Sequence, residues 1–339
     1  MLVLGIETTC DETAASVVED GKKILSNIIF SQVHLHKKFG GVFPEIASRS
    51  HIDKMIPVIE EALKEARVNL EEIDLIAVAS QPGLIGSILI GLNTAKALSF
   101  ALDKPYIGIN HVEAHLYAAM MGEKNLIFPA LGVVISGGHT MLLKILEIGR
   151  YEKIGTTIDD AIGESFDKVA SILDLGYPGG PEVEKLAKTG VSTRYNFKAG
   201  VTKKNPFDFS FSGLKTKVLY TVKGQSAKKH FSTIIKSEDK KHIAASFQRC
   251  AFEDVIKKSI LAIDEFDMKA IYLGGGVTNN RTLRGMFDNK NLPIPLFWPE
   301  KDLSLDNGAM IAGLGYHKFK KTFKSDAFDL LAQTSIANF

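Results

Sequence analysis

A strand, a polar turn and a second strand occur twice in this chain, 127 residues apart, and this repeat narrows the possible folds most. The first copy runs from strand Leu2–Glu7 through Thr8, Thr9, Asp11, Glu12 and Thr13 to strand Ala14–Glu19, which Asp20-Gly21 closes as a hairpin-type pair. The second runs from strand Leu131–Ile135 through Ser136-Gly-Gly-His-Thr140 to strand Met141–Leu146, so that Gly5 falls on Gly132 and Thr13 on Thr140. A second echo accompanies the first. The apolar stretch Asp74–Ala79 leads through Gln81-Pro-Gly-Leu-Ile-Gly86 into a helix ending near Ala101. Likewise Ala270–Leu273 leads through the glycine turn Gly274–Asn280 into a helix from Arg281. A strand, a glycine turn and a helix N-terminus together suit a bound anion. The repeat predicts two similar α/β lobes facing each other, with glycine turns lining a cleft.

A length of 339 residues agrees with about two domains. With 45% apolar and 24% charged residues the chain is neither disordered, collagenous nor coiled-coil. Cys10 and Cys250 are the only cysteines, which excludes a disulfide framework and a four-cysteine zinc site. No apolar run approaches the ~18 residues of a membrane span, and the start of the chain lacks a basic region before its apolar stretch. A reduced, cytoplasmic location with no membrane partner is expected. A helical stripe is expected over Ser48–Ala66, carried by Ile52, Met55, Ile56, Ile59, Ala62 and Leu63, with Pro57 kinking it or marking its start.

Net charge is only +2, but it is unevenly spread. Residues 188–241 hold 13 Lys and Arg against three acids, and the remainder of the chain is negative. Aromatic residues are interleaved there, among them Tyr195, Phe197 and Tyr220. Such a segment fits a polyanion-facing surface, and equally a solvated lysine-rich face.

His111 and His115 stand at i and i+4 in Asn110-His-Val-Glu-Ala-His115, a spacing that places two imidazoles on one helix face. The glutamate of a peptidase H-E-x-x-H follows the first histidine directly; here Glu113 comes one place later. Asp306 precedes a small-residue helix, where it can serve as an N-cap or as a third, hard metal ligand. Thr157–Lys168 is dense in carboxylates (Asp159, Asp160, Glu164, Asp167) and is followed by Tyr177-Pro-Gly-Gly-Pro181. With the glycine turns, these suggest a nucleotide cleft. No Walker sequence occurs, which argues against P-loop chemistry.

These stretches, taken together, closely resemble the bacterial TsaD family of tRNA threonylcarbamoyladenosine transferases, once called glycoproteases. The resemblance is carried in order by Gly5-Ile-Glu-Thr-Thr-Cys-Asp-Glu-Thr13, Gly41-Val-Phe-Pro-Glu-Ile-Ala-Ser-Arg49, Asn110–His115, Val134–Thr140, Asp159–Lys168, Tyr177–Pro181, Phe209-Ser-Phe-Ser-Gly-Leu-Lys215, Gly275–Asn280 and Asp306-Asn307. Two positions depart from the family pattern: Leu305 stands where a small polar residue is usual, and Gln81 where glycine is usual.

The resemblance implies a duplicated actin-like (ASKHA, RNase H-like) α/β fold with two lobes and a nucleotide and metal cleft between them. Its lobes would be 1–118, with a helical insertion at about 30–66, and 119–316, with a basic insertion at about 182–245. Residues 317–339 would pack back on the first lobe. It implies one divalent metal ion, iron or zinc, on His111, His115 and Asp306, and a substrate held by Val134, Ile135, Ser136, Gly137, Gly138, Asp167, Gly180 and Asn280. The implied reaction is acyl transfer from threonylcarbamoyl-AMP, with loss of AMP. The acceptor is the adenosine just 3′ of the anticodon in tRNAs reading codons that begin with A. Asp11 is the candidate to accept the amine proton. Implied partners are the tRNA anticodon stem-loop, a TsaB-like inactive homologue and a TsaE-like ATPase. A metallopeptidase, a kinase of the same fold and a non-catalytic scaffold are the competing classes.

Overall fold

The computed structural model describes residues 1–200, 202, 204–224 and 235–336. Lys203, Lys228 and Lys229 of the basic segment lie outside the described residues. The chain divides into two compact units: Met1–Leu126, Ile145–Tyr151 and Phe297–Phe339 form the first, Ile127–Lys144 and Glu152–Leu296 the second.

The elements of the amino-terminal half are β1 (Leu2–Glu7), β2 (Glu12–Glu19), β3 (Lys23–Ser31), α1 (Val33–His36), α2 (Pro44–Ala66), β4 (Leu75–Gln81), α3 (Ile85–Leu102), β5 (Tyr106–Asn110) and α4 (His111–Ala118). Then come β6 (Ala130–Ile135), β7 (Thr140–Glu147), β8 (Arg150–Thr156), α5 (Ile162–Ile172), α6 (Gly179–Ala187), α7 (Ser212–Lys223), α8 (Lys240–Phe266), β9 (Ala270–Gly274), α9 (Arg281–Asp288), β10 (Leu296–Phe297) and α10 (Gly308–Thr322).

The first sheet has the order β3-β2-β1-β4-β5. Its first three strands are antiparallel, and β1, β4 and β5 are parallel. Strands β1 and β4 are apolar on both faces because both faces are covered. Leu4 and Ile6 of β1 pack with Met55, Ile59, Leu92 and Ala95 of α2 and α3. Gly5, alternating to the other face, lies against α10, and a Cβ there would collide with the carbonyl oxygen of Gly308. This close approach places the start of α10, and Asp306 just before it, in the first unit. Residues 297–316 had been expected in the second lobe; contact with β1, β2 and β4 draws α10 to the first.

The second sheet reads β10-β9-β6-β7-β8. Taken from β8, this is the order of the first sheet taken from β3, and β6 pairs parallel with β9 as β1 does with β4. The duplication seen in the sequence is therefore a duplication of topology.

Two expectations are corrected. Helix α2 begins at Pro44, where proline suits the first turn, and continues through Pro57. Of its stripe, Met55, Ile59 and Ala62 are buried, but Ile52 and Ile56 are 60% and 53% exposed. Helix α3 has 18 residues and is long and apolar enough to cross a membrane by length and composition, contrary to the expectation that no run reaches this. Its Ile88, Leu92 and Ala95 are buried, and the helix packs on β4 and α2.

Candidate metal centre and nucleotide site

Helix α4 starts directly from β5. Asn110 caps it, its Oδ1 accepting from the N–H groups of Val112 and Glu113. This makes His111 the first helical residue and stacks it edge-on against His115, one turn on, with ring centroids 4.5 Å apart. Asp306 does not cap α10; Asn307 does, accepting from the N–H of Met310. The Asp306 carboxylate stands instead beside both imidazoles, with Oδ1 3.5 Å from His111 Nε2 and 3.2 Å from His115 Nε2. A carboxylate oxygen at these distances from both imidazole nitrogens suits ligands each ~2.1 Å from one ion. The three ligand atoms lie within 4.8 Å of one another.

The sequence reading missed Glu7. It closes β1 fully buried, and its Oε2 accepts from His111 Nδ1 at 2.8 Å. Its other oxygen accepts from the N–H of Thr9, and Thr9 Oγ1 also lies 3.2 Å from His111 Nδ1. Glu7 thus holds the proton of neutral His111 on Nδ1 and leaves the Nε2 lone pair toward Asp306. Burial alone would lower the His111 pKa, but the Glu7 and Asp306 carboxylates outweigh it and raise it to about 9. His115 is lowered by burial and by His111, against the pull of Asp306. Both His115 ring nitrogens are buried; among the described residues Nδ1 has no hydrogen-bond partner, and Nε2 faces Asp306 Oδ1 at 3.2 Å. A cation among the three residues would satisfy Nε2, so the donor set fits a divalent metal.

The turn after β1 is also pinned. His51 Nε2 donates to the carbonyl of Cys10 at 3.0 Å, so its Nδ1 accepts from Thr13 Oγ1 at 2.8 Å. Burial pushes Glu12 well above the usual carboxylate range, with Asp11 and then Asp306 adding to it. Asp11 is itself buried.

The remaining candidates lie in the second unit. Val134 and Ile135 are fully buried in β6 and offer only backbone. The Ser136 and Gly137 carbonyls accept from the N–H groups of Gly163 and Glu164 at the start of α5, and Ser136 Oγ accepts from His139 N–H. A Cβ at Gly163 would stand 2.6 Å from the Ser136 carbonyl oxygen, so only glycine lets α5 seat this closely. Gly137 and Gly138 are exposed, with open space where a Cβ would be. Asp167 Oδ1 accepts from the N–H of Gly179 at 2.7 Å, tying α5 to the start of α6, and Gly180 beside it is open. Asn280 caps α9.

The family profile described as TsaD, tRNA N6-adenosine threonylcarbamoyltransferase, matches residues 23–313. A protein of that name from Protochlamydia amoebophila is 60% identical over 331 residues, 97% of this chain and 96% of that protein. The chain belongs to the TsaD family. The member from Bacillus subtilis is 44% identical over 339 residues, 99% of this chain and 95% of that protein. Among solved structures, HypF from T. kodakarensis matches with a TM-score of 0.62 at 16% identity, over 94% of this chain and 48% of that one. Component A of (R)-2-hydroxyglutaryl-CoA dehydratase from Acidaminococcus fermentans gives 0.52 at 14%, over 94% and 98%. These likenesses establish the fold as the duplicated actin-like one. The His111, His115 and Asp306 set is thus a candidate metal centre in a TsaD member, an acyltransferase.

Proposed function

We propose that this TsaD member transfers the threonylcarbamoyl group of threonylcarbamoyl-AMP to N6 of the adenosine 3′ of the anticodon, releasing AMP. The observation that carries this is the convergence of His111, His115 and Asp306 in a chain of this family. The exocyclic amine is a weak nucleophile because its lone pair is delocalised into the ring, so the electrophile must be activated. When bound, a divalent ion on these residues supplies Lewis acidity toward a donor oxygen. We take it to be iron(II) or zinc(II), since two histidines and one carboxylate with open positions serve either ion. The N–H groups of Gly137 and Gly138 hold the phosphate or a developing oxyanion. Asp167 and Asn280 fix the nucleoside, and Asp11 takes the amine proton. The test is nucleoside analysis of tRNA from cells depleted of the protein. Wild type should restore the threonylcarbamoyl mark and His111→Ala should not; persistence of the mark without the protein would overturn the reading.

The basic segment is the proposed tRNA surface. Part of its charge is spent internally: Lys215 pairs with Asp160, Arg194 with Asp239 and Lys240 with Asp174. Lys204 and Lys217 are exposed. Reversing both to glutamate should weaken tRNA binding and flatten its dependence on salt by about one log unit per residue. An unchanged slope in a salt titration would remove this surface from the proposal.

The TsaB-like homologue is proposed to cover α2 and α3. Support comes from Ile52, Ile56, Ile85 and Leu89, all more than 40% exposed on these two packed helices. Large apolar side chains left exposed on two packed helices suit an interaction site. Ile52→Asp with Ile56→Asp should weaken association by about a hundredfold or more in a pull-down or titration, with the monomer still folded. The TsaE-like ATPase would join that complex.

A further inference from the structure

We infer that Gln248 takes up one of the two Nδ2 hydrogens of Asn280 and steadies its amide, so that Asn280 offers a ligand one hydrogen-bond donor and no acceptor. The inference rests on the nucleotide-site reading of the second unit. It begins from backbone geometry. Asn280 Oδ1 accepts from the N–H groups of Thr282 and Leu283, at 2.9 and 3.2 Å, in capping α9. Those donors can meet only an oxygen, so the amide cannot be turned over, and both lone pairs of Oδ1 are used.

The other amide atom is therefore Nδ2, which carries two hydrogens. One goes to Gln248 Oε1 at 3.0 Å. That contact fixes Gln248 in turn, whose Nε2 donates to Thr282 Oγ1 at 3.0 Å. Gln248 and Asn280 are both buried. A buried amide held at three points has one orientation, and a single Nδ2–H remains. The group that meets it must accept: a ribose hydroxyl oxygen, a ring nitrogen or a carbonyl. Gln248, reaching across from α8, is the positioning residue.

The inference separates capping from ligand reading. In Asn280→Asp an oxygen still caps α9, and Gln248 can turn over to donate to the introduced carboxylate while accepting from the Thr282 hydroxyl. The fold survives and the donor is gone. In Gln248→Leu the acceptor that holds Nδ2 is lost. In Gln248→Glu it is kept, and the carboxylate can accept from Thr282 as well.

The experiment is calorimetric titration of AMP and of adenosine into the full-length protein and these three variants, with melting temperatures alongside. Expected is binding of both probes to wild type. Asn280→Asp should bind both about tenfold or more weakly with little change in melting temperature. Gln248→Leu should also weaken both, and Gln248→Glu should restore adenosine binding. Adenosine carries no phosphate, so a loss confined to AMP would be charge repulsion and would overturn the inference. Equal binding by wild type, Asn280→Asp and Gln248→Leu would overturn it too, leaving the nucleotide reading standing. Failure of wild type to bind either probe would overturn both.

Discussion

His111→Ala protein should purify without its metal ion and transfer the threonylcarbamoyl group about a thousandfold more slowly. Losing Lewis-acid activation is worth several kcal/mol, and each ~1.4 kcal/mol is a decade in rate. The variant should still form α4, because the cap comes from Asn110 through the N–H groups of Val112 and Glu113, neither of which involves residue 111. It should nevertheless melt lower than His115→Ala. Removing His111 leaves the fully buried Glu7 carboxylate, among the described residues, with the Thr9 N–H alone as hydrogen-bond donor, and an unpaired buried charge is costly. His115→Ala takes a partner from Asp306 instead, and that carboxylate is partly exposed to water. Elemental analysis and a transfer assay on both variants check this. Full metal content with full activity in either would remove that residue from the ligand set.

The duplication was legible because its signals are local. Apolar runs such as Leu2–Ile6 and Leu131–Ile135 end in turns of glycine, threonine and serine, and both copies keep their spacing. The histidine pair was legible for a similar reason, since i and i+4 fixes a common face on any helix. Asp306 was ambiguous between cap and ligand. Adjacent residues compete for a cap, and Asn307 takes it.

What could not be read depends on distant parts of the chain meeting. Glu7 is a lone charge ending an apolar strand, a usable hint that it meets something polar. That its partner is His111 follows only from the parallel order β1-β4-β5, which carries the ends of β1 and β5 to the same edge. Gln248 sits in α8 with no periodic or motif signal, and its role appears only where α8 meets the start of α9. Ile52 lies two turns before Ile59 on nearly the same line of α2, yet one is exposed and the other buried. A stripe records that a helix face is apolar, and not whether its own chain covers it.

Glu7→Gln should bind metal about 10- to 100-fold more weakly. Glutamine can still accept from His111 Nδ1–H, but its NH2 group then faces the Thr9 N–H that the second carboxylate oxygen accepted, and it brings no negative charge to strengthen Nε2 as a ligand. The pH dependence makes the test specific. In metal-free protein, burial opposes and the Glu7 and Asp306 carboxylates favour the charged imidazole, whose pKa is raised to about 9. A protonated Nε2 cannot bind an ion, so below that pH metal uptake expels a proton from His111. Affinity in wild type should therefore climb with pH and level off near 9. With Glu7 neutralised, the His111 pKa falls, so the plateau should begin at lower pH even though its height is reduced. Competition of cobalt(II) or zinc(II) against a chelator, from about pH 6 to about pH 10, measures both changes without reference to catalysis. If Glu7→Gln matched wild type in affinity and in plateau, Glu7 would serve only to hold the Thr9 turn. A weaker plateau without the shift would assign it packing around the ligands and no part in setting the charge of His111.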